Sequence, residues 1–199
     1  MSNKKTTFKA IDTPYRNHLF RSRLEARYAV YFDFFGIGWE YETEGYEFGN
    51  GEKYLPDFYL PTFNLYVEIK PIRLNYKEIS KCKRLAVNMN KNVISLVGLP
   101  STNTMNVYEP YQHYVCSKCG FIEKYENGKR VYCQCHVKHD VVTNIREQRA
   151  VFLPYAPGNK QSYVPLYYTE IKDDYTEDPF ILEGIKSATQ ARFEFNDRK

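Results

Sequence analysis

Between residues 15 and 35, Phe20, Leu24, Tyr28, Tyr31 and Phe35 recur at spacings of four, four, three and four, the repeat of one helical face. The pattern predicts an amphipathic helix over 15–35, ended by Gly36 and Gly38. Residues 39–48 then alternate aromatic positions (Trp39, Tyr41, Tyr46, Phe48) with glutamates (Glu40, Glu42, Glu44, Glu47), which predicts a strand closed by the turn Gly49-Asn50-Gly51. Residues 54–60 and 65–70 read as two short strands of a hairpin around Pro61-Thr62-Phe63-Asn64. A second helix is predicted over 76–90, with Ile79, Cys82, Leu85, Ala86 and Met89 on one face. The β-branched run 93–99 follows as a buried strand beside the hairpin. The order helix, three strands, helix, strand makes an α/β core, α+β in its segregated hairpin, complete by about residue 100. Residues 146–168 are rich in Pro and Tyr without a clear period, and 179–195 reads as a last helix through Ile181, Ile185, Ala188, Ala191, Arg192 and Phe195.

Composition narrows the class. With 43% hydrophobic and 26% charged residues, the chain lies well outside the regime in which low hydrophobicity prevents a core. At 199 residues it reads as one domain with a small appended module. Its longest apolar runs fall far short of the roughly 20 residues of a membrane span, and no apolar signal core follows the lysine-containing start, so a cytosolic location is expected. The net charge of +4 is too mild to argue for nucleic acid by itself. Of five cysteines, four crowd into 116–135 while Cys82 stands alone, which in such a compartment points to a metal site rather than disulfides.

The residues that carry chemistry are Pro56-Asp57 at the head of one hairpin strand and Glu68-Ile69-Lys70 in the other. Side chains alternate faces along a strand, so Glu68 and Lys70 share a face, and pairing can bring Asp57 beside Glu68. Two carboxylates held together repel and resist burial, an arrangement that a divalent cation resolves. Mg²⁺, or Mn²⁺ in its place, is the expected occupant, because hard cations take oxygen ligands. Water polarised by that cation near Lys70, with charge on a phosphate neutralised by it, is the chemistry of phosphodiester hydrolysis. The bland alternative for so short a motif is a solvated hairpin with a surface ion pair. Its position within the helix, strand, hairpin, helix, strand order favours a site.

These residues resemble the PD-(D/E)xK nucleases of the restriction-endonuclease-like fold, with Pro56-Asp57 and Glu68-Ile69-Lys70 in the places of the motif. The resemblance implies metal binding by Asp57, Glu68 and the backbone carbonyl of Ile69, and a water-orienting or water-activating role for Lys70. Many members also place a glutamate on the first helix, where Glu25 stands within Arg21-Ser22-Arg23-Leu24-Glu25-Ala26-Arg27. Phage-encoded members in particular look similar, including a final helix like that of 188–195. The resemblance covers about residues 15–100 well and the remainder loosely. Pro71 directly after Lys70 departs from a continuing strand and suits a strand end.

Cys116-Ser-Lys-Cys119-Gly120 has the spacing of a zinc knuckle, and Cys133-Gln-Cys135 follows past a turn at Asn127-Gly128. Four thiolates close a tetrahedral structural site with no open position, so a zinc ribbon on Cys116, Cys119, Cys133 and Cys135 is expected, with His136 or His139 able to replace one cysteine of the second pair. Cys82, on an apolar face, reads as packing, and neither His18 nor His113 has partner spacing. Arg16, Arg21, Arg23 and Arg27 on the first helix, with Lys77, Lys81, Lys83, Arg84 and Lys91 on the second, could contact phosphates, and the tyrosines of 155–168 could stack on unpaired bases.

The expected organisation is a nuclease core at 8–107, a zinc-ribbon insertion at 108–145, and a Pro/Tyr-rich segment with a C-terminal helix at 146–199 packing on the core. The expected activity is metal-dependent cleavage of DNA in phage replication, recombination or host-DNA degradation, inside a bacterial host cell. The implied partner is DNA and no membrane, with a homodimer or a phage or host DNA-processing partner left open. Two rivals fit the same residues: a nucleic-acid-binding or interaction protein with a zinc ribbon and an inactive centre, and a transposase-type nuclease subunit.

Overall fold

The computed structural model describes residues 10–49, 51–101, 104–109 and 178–193, together with strand backbone at 114–115, 122–126, 129–131, 140–141, 148–152 and 163–165. The first departure from the sequence pattern comes at once. Residues 15–22 are not helical. Strands β1 (Thr13–Tyr15) and β2 (His18–Phe20) form a tight antiparallel hairpin whose turn places Arg16 at a positive φ of 48°. Helix α1 (Arg23–Phe34) begins only after Ser22, whose hydroxyl caps the Glu25 amide. Phe20 falls on the helical period by coincidence, yet it is fully buried in the core that the helix face builds. Tyr28, Tyr31 and Phe32 form that face, with Ala26 and Ala29 allowing close approach to the sheet.

The expected strand at 39–48 breaks in two, because Glu42 adopts a positive φ of 46°. Strand β3 (Glu40–Tyr41) and strand β4 (Tyr46–Glu47) therefore join different sheets. The run 54–60 splits likewise into β5 (Lys53–Tyr54), paired with β4, and β6 (Phe58–Leu60). A single 3₁₀ turn, Pro61–Phe63, with Asn64 in the left-handed region, leads into β7 (Leu65–Lys70), and the pair β6/β7 is the expected hairpin. Helix α2 (Tyr76–Met89), opened by a capping box between Asn75 and Glu78, carries the chain to β8 (Asn92–Val97), parallel to β7.

Downstream come β9 (Thr104–Tyr108), β10 (Tyr114–Val115), β11 (Ile122–Glu126), β12 (Lys129–Val131), β13 (Asp140–Val141), β14 (Gln148–Phe152), β15 (Tyr163–Pro165) and helix α3 (Pro179–Gln190). Strands β14 and β15, in a region without a clear sequence period, extend the main sheet to seven strands in the order β15-β14-β9-β8-β7-β6-β3. Strands β12, β11, β10 and β13 form a separate antiparallel sheet. The cysteines of the expected ribbon, His136, His139 and the tyrosines of 155–168 lie outside the residues whose side chains are described. The fold is mixed α/β, with a mixed sheet and, among the described residues, three helices.

Alternation along β7 divides the core. Leu65, Val67 and Ile69 pack with α1 on one face, and Tyr66 packs with Leu85, Ala86 and Cys82 of α2 on the other. Helix α3 lies against α1: Phe180 meets the rings of Phe34 and Phe35 at 5.1 and 5.4 Å, and Gly184 admits the Phe35 ring where a Cβ would stand 2.3 Å from it. Among the described residues no helix is long and apolar enough to cross a membrane.

Candidate active site

Strand β7 is buried at its first five positions, so Glu68 is a carboxylate set inside an otherwise apolar strand, only 4% exposed. It faces the α2 side of the sheet with Lys70 beside it. The Lys70 Nζ stands 2.7 Å from Glu68 Oε1, and the Tyr54 hydroxyl donates to Glu68 Oε2 at 2.6 Å. Behind Tyr54, its oxygen is 3.5 Å from the Cys82 sulfur. Burial, then the nearby Cys82 and Glu68, push the Tyr54 phenol far upward, which keeps it a proton donor, and burial pushes the Cys82 thiol up to about 12.

Asp57 enters from the residue before β6, 6% exposed, and its Oδ2 accepts the Ile69 amide at 2.6 Å. The Gly98 amide donates to the Lys70 carbonyl at 2.8 Å, so the Lys70 peptide groups point to β8. Strand alternation then turns both peptide groups of Ile69 the other way, toward the Asp57 side. Burial and the Glu68 charge raise the Asp57 carboxyl to about 8, against the opposing pull of Lys70 and the Ile69 N–H. For Lys70, burial works to lower the ammonium, but Glu68 and Asp57 outweigh it and its pKa is raised, so it stays a cation.

Glu25 arrives from the opposite face of the sheet, on the first turn of α1, and is 9% exposed. Both of its oxygens are held, Oε1 by the Ser22 hydroxyl at 2.6 Å and Oε2 by the Tyr41 hydroxyl at 2.5 Å. Arg21 does not pair with it; that guanidinium pairs with Glu42. Glu42 is the site residue that sequence reasoning passed over. Tyr41 pairs with Phe58, and one step further the Glu42 amide donates to the Asp57 carbonyl at 3.1 Å, which brings its carboxylate to Asp57. One oxygen each from Glu25, Glu42 and Asp57 lie within 4.8 Å of one another. Glu68 is not one of those three; its oxygens meet Lys70 and Tyr54. Only the β3/β6 register could have revealed Glu42, since its acidic alternation with Glu40 and Glu44 marks nothing special.

A cavity of about 340 Å³ gathers these groups where the first turns of α1 and α2 reach the same end of β7: Glu25, Asp57, Glu68 and Lys70 line it, with Arg21, Lys53, Tyr54, Glu78 and Lys81. No family model matches the chain, and neither a curated protein nor a solved structure matches it.

Several of the cationic residues expected on the two helices have partners within the chain. Arg16 and Arg21 precede α1, and Arg16 pairs with Asp33 at 2.9 Å. Arg27 donates to the Thr189 carbonyl, Arg84 pairs with Glu52 and stacks 4.5 Å from the Phe48 ring, and Lys91 sits 4.3 Å over Tyr59. Each of those side chains has a partner within the fold. Lys53, Arg73, Lys77 and Lys83 are exposed. His18 packs 5.0 Å from the Trp39 ring, and Cys82 is wholly buried.

Proposed function

We propose that the chain is a divalent-metal-dependent deoxyribonuclease whose site comprises Asp57, Glu68, Lys70 and Glu25, with Glu42 added from the structure. The observation that supports this most is the convergence, in one cavity, of carboxylates from α1, the head of β6 and β7 with the Lys70 ammonium. The donors are all oxygen, which fits Mg²⁺ or Mn²⁺ and not a soft metal. Burial and the Glu68 charge raise the Asp57 carboxyl, and Lys70 offsets only part of that. Asp57, Glu25, Glu42, Glu68 and the Ile69 carbonyl are the groups that would hold the cation. When bound it supplies charge neutralisation to a phosphodiester and polarisation to water. Lys70, fixed beside Glu68, orients the attacking water and steadies developing phosphate charge, while Lys53 and Lys81 at the cavity wall attract the backbone of the strand.

The finer fold reading is part of the same proposal. A parallel β7/β8 pair joined by α2, with α1 on the other face and the hairpin beside it, supports a restriction-endonuclease-like core, and the cysteine spacing supports a zinc ribbon held by Cys116, Cys119, Cys133 and Cys135. The deciding experiment is digestion of linear, circular, single-stranded and branched DNA with Mg²⁺ or Mn²⁺. Cleavage that stops with EDTA and disappears in Asp57→Ala, Glu68→Ala and Lys70→Ala is expected; Glu68→Ala cutting at the wild-type rate would sink the assignment. A second reading, nucleic-acid binding without cleavage, draws on Glu68 and Glu42 being already paired with Lys70 and Arg21. It predicts retention of DNA with no metal-dependent cutting.

A further inference from the structure

We infer that Tyr54 is a positioning residue for the cavity-lining carboxylate of Glu68, through the 2.6 Å hydrogen bond from its hydroxyl to Oε2. The inference rests on the metal-dependent reading above and adds to it a residue outside the expected motif. A carboxylate carried on three rotatable bonds turns freely unless both oxygens are held. Lys70 holds Oε1, but from the same strand and through a long, flexible stem. Tyr54 holds Oε2 from a different element, through a rigid ring that is 8% exposed and lies against Phe48 with centroids 6.2 Å apart and planes at 24°. The Cys82 sulfur, 3.5 Å from the hydroxyl, closes the space behind it.

The strand that carries Tyr54 is itself anchored. The turn between β4 and β5 is bonded from Phe48 to Glu52, and Glu52 is paired with Arg84 and, at 3.4 Å, with Lys81 of α2. Helix α2 thus fixes the strand, the strand fixes the phenol, and the phenol fixes the plane of Glu68. Each carboxylate oxygen has about two acceptor positions, so one donor apiece leaves Glu68 free to face the cavity. Glu25 is treated the same way, with Tyr41 on Oε2 and Ser22 on Oε1. Each of these carboxylates is therefore gripped by a phenol contributed by a short strand of the 40–54 segment. Outer-sphere donors of this kind set ligand orientation, and their loss typically lowers metal affinity about 10–100-fold.

The experiment is Mn²⁺ binding by calorimetry on the full chain, with wild type, Tyr54→Phe, Glu68→Gln, the double variant, Asp57→Ala, and Tyr59→Phe as a control whose hydroxyl bonds Asn64 and Lys91, neither of which lines the cavity. Tyr54→Phe is expected to weaken Mn²⁺ binding about 10–100-fold and to raise the Mn²⁺ concentration for half-maximal DNA cleavage by the same factor. In the Glu68→Gln background the same substitution should cost less than about twofold, because the phenol then has no charge to orient. Tyr54→Phe binding Mn²⁺ like wild type, or losing as much affinity in the Glu68→Gln background, overturns the inference. If Tyr54→Phe does not melt cooperatively, 3-fluorotyrosine at position 54 keeps the ring and hydroxyl while making the proton more acidic; an affinity shift beyond that of Tyr59→Phe supports the inference, and none overturns it. Wild type that binds no Mn²⁺, or Asp57→Ala that binds as tightly, rejects the metal reading itself and the inference with it.

Discussion

Asp57→Asn should abolish cleavage and yet make the metal-free protein more stable. The carboxyl is 6% exposed, and burial together with the Glu68 charge raises it from an ordinary 3.8 to about 8. A raised folded-state value means that stability is fully present below pH 3.8 and is lost as pH rises toward 8. At about 1.4 kcal/mol per unit between 3.8 and pH 7.5, the proton that buried Asp57 must keep costs the fold up to about 5 kcal/mol. Asparagine is nearly isosteric and still accepts the Ile69 N–H, though a neutral acceptor forfeits about 1 kcal/mol of that bond. Burying the new amide NH₂ offsets about 1–3 kcal/mol more, leaving an expected gain of about 1–3 kcal/mol, or roughly 3–10 °C in Tm for a chain of this size. The assay is thermal unfolding by circular dichroism in EDTA, at pH 7.5, 6 and 5. The advantage of Asp57→Asn should shrink steadily toward pH 5. With Mg²⁺ at about 1,000 times its Kd the order should reverse, since wild type then gains about 4.1 kcal/mol that the variant largely lacks. A variant that melts below wild type in EDTA at pH 7.5, or a difference that does not change with pH, would refute the reasoning.

Glu25→Gln should slow cleavage rather than remove it, with Mn²⁺ restoring part of the rate, because Glu25 is one of several carboxylates and stays anchored by Ser22 and Tyr41; full wild-type rates in single-turnover assays would count against its place in the site. Glu42→Gln should weaken Mg²⁺ binding while freeing Arg21, and calorimetry showing unchanged affinity would remove Glu42 from the donor set. Purified protein should hold about one zinc per chain by elemental analysis, and Cys116→Ser should release it with a visible loss of thermal stability, since structural zinc contributes on the order of 10 kcal/mol. Gly184→Ala forces a Cβ into the Phe35 ring and should cost about 1–3 kcal/mol in urea unfolding without altering metal affinity.

Much of the candidate site was legible without coordinates. Pro56-Asp57 and Glu68-Ile69-Lys70 stand out because charge in a strand-forming, otherwise apolar stretch needs a reason, and strand alternation alone puts Glu68 and Lys70 on one face. The periods of α2, β7 and β8 carried over because each is set by local burial. Where the chain turns sharply the period misled: Phe20 lies on the helical spacing of α1 but belongs to a strand, and Glu42 interrupts an alternation that looked continuous. Turn conformations at Arg16 and Glu42 are imposed by what packs around them, and neither residue type announces a positive φ. The sequence by itself determined which side chains could do the chemistry. Tertiary structure decided which of them meet: Glu42 reaches Asp57 through strand pairing, Glu25 through the packing of α1 across the sheet edge, and Tyr54 reaches Glu68 through a strand that α2 holds in place. Those contacts depend on register and helix placement, long-range terms set by the whole core and not by any window of residues.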